Sequence, residues 1–272
     1  GLLRGPVRLD AAAAREGGTI TLDRLALDGR HLRASASGSL SDALTTLAAD
    51  LALPDLSAAA PRFAGSLSGR ATLRIEDGTE AVALDARTSN LRIGQAEADR
   101  LLAGPATLAV AARRTAGVIR LDRLRLDGRQ VTADVTGRSD GATTRADVDA
   151  RLADLALLVP GMPGPLTLAG TVDADAAGYG LNLALRGPGG IDATARGRIA
   201  ADGRRANLRA QGRAESALAN AFISPASLRG PVSFDVGLDG PLAPSALTGR
   251  IALTDARIAL VDPPLAFADT NA

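Results

Sequence analysis

Apolar and polar residues alternate along most of this chain. In Arg70-Ala71-Thr72-Leu73-Arg74-Ile75-Glu76 the odd positions are apolar and the even ones polar. The same holds, in either phase, for Val82 to Arg87, Ala146 to Arg151, Leu181 to Arg186 and Val232 to Val236. A period of two sends successive side chains to opposite faces of an extended strand, so these segments read as half-buried strands. Six Asp-Gly pairs punctuate them, at 28–29, 77–78, 127–128, 140–141, 202–203 and 239–240. That dipeptide suits tight turns with positive φ, which join antiparallel neighbours. The pattern predicts an all-β chain dominated by a long antiparallel sheet.

Two details refine the prediction. In Ile20-Thr21-Leu22-Asp23-Arg24-Leu25-Ala26-Leu27 the apolar phase passes from even to odd at Asp23-Arg24, and it flips again at Asp122-Arg123. A bulge or bend at each place would re-aim the strand. Helix is minor: Leu56 to Ala60, Ala96 to Leu102 and Ala214 to Phe222 each have material for a turn or two. At about 11 residues per strand and turn the chain would hold roughly 25 strands, on the order of 100 Å of sheet at about 4.8 Å spacing.

The chain also repeats itself. Ile20 to Arg30 returns as Ile119 to Arg129, 99 residues on, with nine of eleven positions identical. Leu2-Leu3-Arg4-Gly5-Pro6-Val7 returns as Leu101-Leu102-Ala103-Gly104-Pro105-Ala106, and in part as Leu228 to Val232. The first three Asp-Gly pairs lie about 50 residues apart, which suggests a doubled half-unit. Approximate units are 1–97, 98–223 and 224–272, in one continuous array. Arrays build extended surfaces from units that touch only their neighbours, so function is expected along a surface rather than at one point. The chain opens on Gly1 in the middle of a repeated phrase, which predicts a longer parent protein.

Composition narrows the function classes. Aromatics are 2% of 272 residues, against 46% apolar residues overall, so Ala, Leu, Val and Ile supply the apolar faces. Walls without bulky rings leave space inside a curled sheet, although a chain this rich in Arg, Ala and Gly loses aromatics through composition alone. All 31 basic residues are arginines, interleaved with 30 acidic ones. A basic stripe with aromatic platforms is missing, so no nucleic-acid partner is expected. Cysteine is absent, which removes thiolate chemistry and disulfides. Asp154, Pro160, Pro163 and Pro165 interrupt the longest apolar stretch, Leu152 to Val172, which is therefore no spanning helix.

Candidate chemistry is sparse. His31 is the only histidine and its counterpart in the second copy is Gln130, so a solvent-facing turn residue is the expectation. Asp147 and Asp149 share one strand face, as do Asp173 and Asp175. Either pair would suit a hard cation or an acid pair, and a solvated polar face is the plainer reading. Gly187-Pro188-Gly189-Gly190 lacks the lysine and following helix of a phosphate cradle. No catalytic residue, metal ligand or cofactor is assigned, and the expectation is a protein that is not an enzyme.

The alternating strands, the Leu-x-Gly-Pro phrase, Leu22-Asp23-Arg24-Leu25-Ala26-Leu27-Asp28-Gly29, and the phrases Ser68-Gly69-Arg70-Ala71-Thr72-Leu73 and Thr248-Gly249-Arg250-Ile251-Ala252-Leu253 together resemble the TamB family. These are inner-membrane subunits of the translocation and assembly module, within the AsmA-like superfamily. The resemblance implies a long curved antiparallel sheet of repeated units forming an open, taco-like apolar groove in the periplasm. It also implies an inner-membrane anchor and a TamA-like outer-membrane partner, both engaged through regions outside this chain. The implied roles are outer-membrane protein assembly and passage of phospholipid between the two membranes, with acyl chains or unfolded outer-membrane protein strands as cargo.

On that reading the candidate groove residues are Ile20, Leu22, Leu73, Ile75, Val82, Leu84, Leu108, Val110, Ile119, Leu121, Val148, Leu183, Phe234 and Val236. Two other classes compete: a β-helical adhesin or secreted passenger domain, and a β-helical polysaccharide lyase. Both require parallel rungs, so strand direction separates them from the groove.

Overall fold

The computed structural model describes residues 6–220, 227–260 and 265–270. It divides into two compact units, residues 1–141 and 142–272. The first unit contains β1 (Val7–Glu16), β2 (Thr19–Gly29), β3 (Arg33–Leu40), β4 (Leu44–Leu53), β5 (Ala64–Glu76), β6 (Thr79–Arg92), β7 (Pro105–Thr115), β8 (Val118–Gly128) and β9 (Val131–Ser139), with one short helix, α1 (Ala96–Leu101). Each strand pairs antiparallel with its sequence neighbour, and β1 pairs only with β2, so this sheet is open.

The second unit contains β10 (Thr144–Leu152), β11 (Leu166–Asp175), β12 (Gly178–Gly187), β13 (Ile191–Ala200), β14 (Arg205–Glu215), β15 (Ser227–Arg229), β16 (Pro231–Pro241), β17 (Leu247–Leu253), β18 (Ala256–Leu260) and β19 (Leu265–Thr270). The order from β10 to β14 continues through β16 and β17, while β15, β18 and β19 form a separate antiparallel sheet. The all-β, antiparallel expectation therefore holds. The described residues carry nineteen strands, fewer than the roughly 25 expected. Most strands run to ten residues or more, and the connections between some of them are long.

Both expected bulges are present. Ala12 opposes Arg24 and Ala13 opposes Leu22, leaving Asp23 as the extra residue; on the other side Leu22 meets Gly38 and Leu25 meets Ala36. The second copy reproduces this, with Ala111 opposite Arg123, Ala112 opposite Leu121, and Leu121 and Leu124 facing Gly137 and Val135. An extra residue in a strand restores the apolar phase, so Leu22 and Leu25 return to one face despite their odd spacing.

The repeat reaches further than the matched residues. A 3-10 turn at Leu56–Ala58, with the Asp55 carboxylate accepting from Ser57 N at 2.9 Å, recurs 99 residues on at Leu155–Leu157, where Asp154 accepts from Ala156 N at 3.0 Å. The helical turns expected near Leu56, Ala96 and Ala214 are observed at Leu56–Ala58, Ala96–Leu101 and Ser216–Ala219; Phe222 lies outside the described residues.

Turn chemistry departs from expectation at three of the six Asp-Gly pairs. Asp77-Gly78 is the expected two-residue turn, with φ of 48° and 72°, and Gly141 and Gly203 take positive φ in connections. Asp28-Gly29 and Asp127-Gly128 instead end strands in register, opposite Arg8-Val7 and Thr107-Ala106. Asp239-Gly240 lies within β16, paired to Asn207-Ala206. Cross-strand partners keep these residues in the ladder, on both sides for Asp28 and Asp127 and on the β14 side for Asp239-Gly240.

Directly opposed residues of an antiparallel pair share a face. One row across the first unit therefore runs Leu9, Leu27, Ala34, Leu51, Gly69, Ala86, Leu108, Leu126, Ala133. In the second unit a row runs Val148, Gly170, Leu183, Ala195, Ala210, Val236, Gly249. The opposite face is polar and ion-paired. Arg70 clasps Asp50 with two hydrogen bonds of 2.8 Å, and Arg209 meets Asp235 at 2.8 and 2.5 Å. The Arg209 guanidinium, aided by Gln211, pulls the Asp235 carboxyl down to about 2.

Glycine sits in the apolar rows where backbones approach closely. Gly197 lies opposite Leu181 and Leu208 with φ of 140°, and a Cβ there would fall 2.0 Å from the Asn207 carbonyl oxygen. We predict that Gly197→Ala destabilises the chain by about 1–3 kcal/mol in urea unfolding. Gly203→Ala, at a turn with φ of 67° and open space around it, should cost about 1 kcal/mol. A second prediction concerns acid. Because the folded-state value of Asp235 is depressed, its contribution is present above the ordinary carboxylate range and is lost as pH falls towards about 2. Arg209→Ala should move the Asp235 titration, followed by carboxyl NMR, back towards that range.

Candidate apolar groove

The apolar face of the first unit is an open trough of about 640 Å³. Its wall comprises Leu9, Leu25, Leu27, Leu51, Leu67, Leu84 and Leu108, with Ala34, Ala36, Ala49, Ala71 and Ala86 between them. Alanine and glycine are interspersed among the leucines along each row, so the bulk of Leu51 faces the gaps at Ala34 and Gly69, while Leu9 meets Leu27 directly. Leu9 stays 65% exposed and Leu51 38%, and no described side chain of the whole chain falls below 2%. The face is not folded into a closed core.

The trough has two unlike ends. At the end of β4, Leu53 and Leu56 are both 8% exposed, the 3-10 turn folding Leu56 beside β5. The equivalent Leu152 and Leu155 are 7% and 8% exposed in the second unit. Asp154 also accepts from Gly164 N at 2.9 Å, and these backbone donors hold its carboxyl below the usual range. At the hairpin end of the first unit the rows terminate in mixed chemistry: Glu80 opposes both Ile75 and Arg114, and Arg114 opposes Ile119. Arg114 and Glu80 form an ion pair at 3.7 Å.

The candidate residues fall on these faces. Leu84 and Leu108 line the trough itself. Leu22, Leu73, Val82 and Leu121 form the next row, joined through Gly38, Leu47 and Ala112, and Val110 lies between Leu84 and Leu124. Ile20, Ile75 and Ile119 occupy the row at the hairpin end, with Ile20 and Ile119 44% and 46% exposed. Val148, Leu183, Phe234 and Val236 share the apolar face of the second unit, Phe234 lying between Gly212 and Ile251.

Five lining leucines, 9, 25, 27, 51 and 67, were not among the candidates. For Leu25 and Leu27 the signal was the phase change itself, because residues beyond the bulge return to the face of Leu22. Leu51 sits in Leu47-Ala48-Ala49-Asp50-Leu51-Ala52-Leu53, where alanine on both faces blurs the alternation.

The polar candidates have structural partners. Asp175 accepts from Ala177 N at 2.8 Å and Arg198 at 2.5 Å, and Asp173 pairs with Arg145 at 3.7 Å. His31 lies partly exposed in the β2–β3 connection, and the Ser57 hydrogen bonds hold the nearby Asp55 carboxyl below its ordinary value. Among the described residues no group of three or more His, Asp or Glu is placed to hold a metal ion, and no helix is long and apolar enough to cross a membrane. No protein-family model, no curated protein and no solved structure matches this chain.

Proposed function

We propose that the chain is a periplasmic segment of a TamB-like envelope protein whose apolar sheet face carries hydrophobic cargo, phospholipid acyl chains or unfolded outer-membrane protein strands. The observation that carries this reading is the unbroken apolar row system across each unit, left open instead of being packed into a core. A trough of about 640 Å³ lies within the roughly 300–1,000 Å³ range of small-molecule sites. Each methylene leaving water for such a wall gains about 0.8 kcal/mol, so affinity needs no specific polar contact. The role is passive: continuity of the apolar path replaces a reacting group. Antiparallel pairing supports this reading over a β-helical adhesin or lyase, whose rungs are parallel.

The test is a charge placed on the path. Leu84→Asp, Val148→Arg and Leu183→Asp should each lower phospholipid photocrosslinking from groove positions, and envelope integrity in a Gram-negative host, by at least about tenfold, because an unpaired charge on an apolar path costs several kcal/mol. Asp173→Ala and His31→Ala should stay within about twofold, with circular dichroism confirming folding. Intact transfer in the groove variants, with loss in either control, would overturn the conduit in favour of a discrete polar site.

A further inference from the structure

Directly behind the trough, on the polar face of the same strands, lies a second hollow of about 740 Å³. Its floor is made of short side chains, and its walls are arginines. Ladder partners place Arg33, Ala52, Ser68, Arg87 and Thr107 in one row, and Ser35, Asp50, Arg70, Asp85, Ala109 and Arg125 in the next; Arg123 completes the rim. Five arginines against Asp50 and Asp85 leave an excess of positive charge. Asp50 is moreover occupied by Arg70 through both oxygens.

The remaining guanidiniums differ in their engagement. Arg33 reaches Asp28 at 3.4 Å and Arg125 reaches Asp134 at 4.0 Å, both long contacts between exposed groups. Among the described residues, the side chains of Arg87 and Arg123 have neither an ion pair nor a hydrogen bond. The Arg87 and Arg123 guanidiniums, which neither of the hollow's two carboxylates, Asp50 and Asp85, engages, are complementary to phosphate oxygens. Arg33 and Arg87 stand three strands apart, roughly 14 Å at sheet spacing, too far for one phosphate to bridge.

We propose that this hollow binds a compact oligoanion carrying two or more phosphate groups, held chiefly by Arg87 and Arg123. The concavity favours a discrete soluble anion over a flat anionic membrane. The proposal does not rest on the cargo proposed for the apolar face.

Titration calorimetry of the 272-residue chain with inorganic tripolyphosphate tests this. Saturable binding at one site is expected, weakening several-fold as salt rises from about 50 to about 300 mM. The double substitution Arg87→Ala with Arg123→Ala should weaken it by at least about tenfold, while Arg145→Ala with Arg186→Ala, on the polar face of the second unit, should leave it within about twofold. Absence of saturable binding, or equal losses in the two double variants, would overturn the proposal. So would binding confined to phosphatidylglycerol vesicles with none to tripolyphosphate, which would make the hollow a membrane contact.

Discussion

Everything in this molecule depends on the direct opposition of residues across antiparallel strands. In such a ladder a slip of one residue transfers a whole strand's apolar set to the other face. The first unit carries its apolar rows across nine strands because every hairpin returns the chain in phase. Burial contributes less to this arrangement than in a layered domain. The most buried leucines, Leu53, Leu56, Leu152 and Leu155, gather at or beside the 3-10 turns, and within the strands only small alanines such as Ala86 and Ala206 are buried to that degree. Cohesion between neighbouring strands therefore holds the array together, and loss of one ladder affects its neighbours first.

The two faces divide the work. On one, leucines are interspersed with alanine and glycine, which keeps the surface apolar yet shallowly textured. On the other, many charges are matched locally, as in Arg70 with Asp50 and Arg113 with Asp122 at 2.8 Å, whereas Arg87 and Arg123 at the hollow are not. Exposed pairs of this kind contribute little stability each. Their contribution is to register: a pair formed across two strands favours one alignment over its neighbours.

The sequence showed the strands and both bulges because period-two patterning is local, and a change of phase has few physical remedies. Turn chemistry was less legible. Asp28-Gly29 reads as a turn by composition, but cross-strand partners extend the ladder through it and move the reversal to Arg30, His31 and Leu32. The 3-10 turn at Leu155–Leu157 was hidden inside the apolar run from Leu152, where hydrophobicity alone cannot distinguish an end closure from more strand. The trough leucines beyond the bulges were missed for a related reason: their face is assigned only once the extra residue has been located.

The paired bulges at Asp23-Arg24 and Asp122-Arg123 bear on how such a chain changes in length. Inserting a single residue into a strand turns its downstream half inside out unless a second irregularity compensates. Duplicating a whole 99-residue segment carries its own irregularity along and leaves the alternation on either side untouched. Growth by complete modules is thus the path of least disturbance for this architecture, and the span bridged by the array becomes adjustable in steps without redesigning either surface.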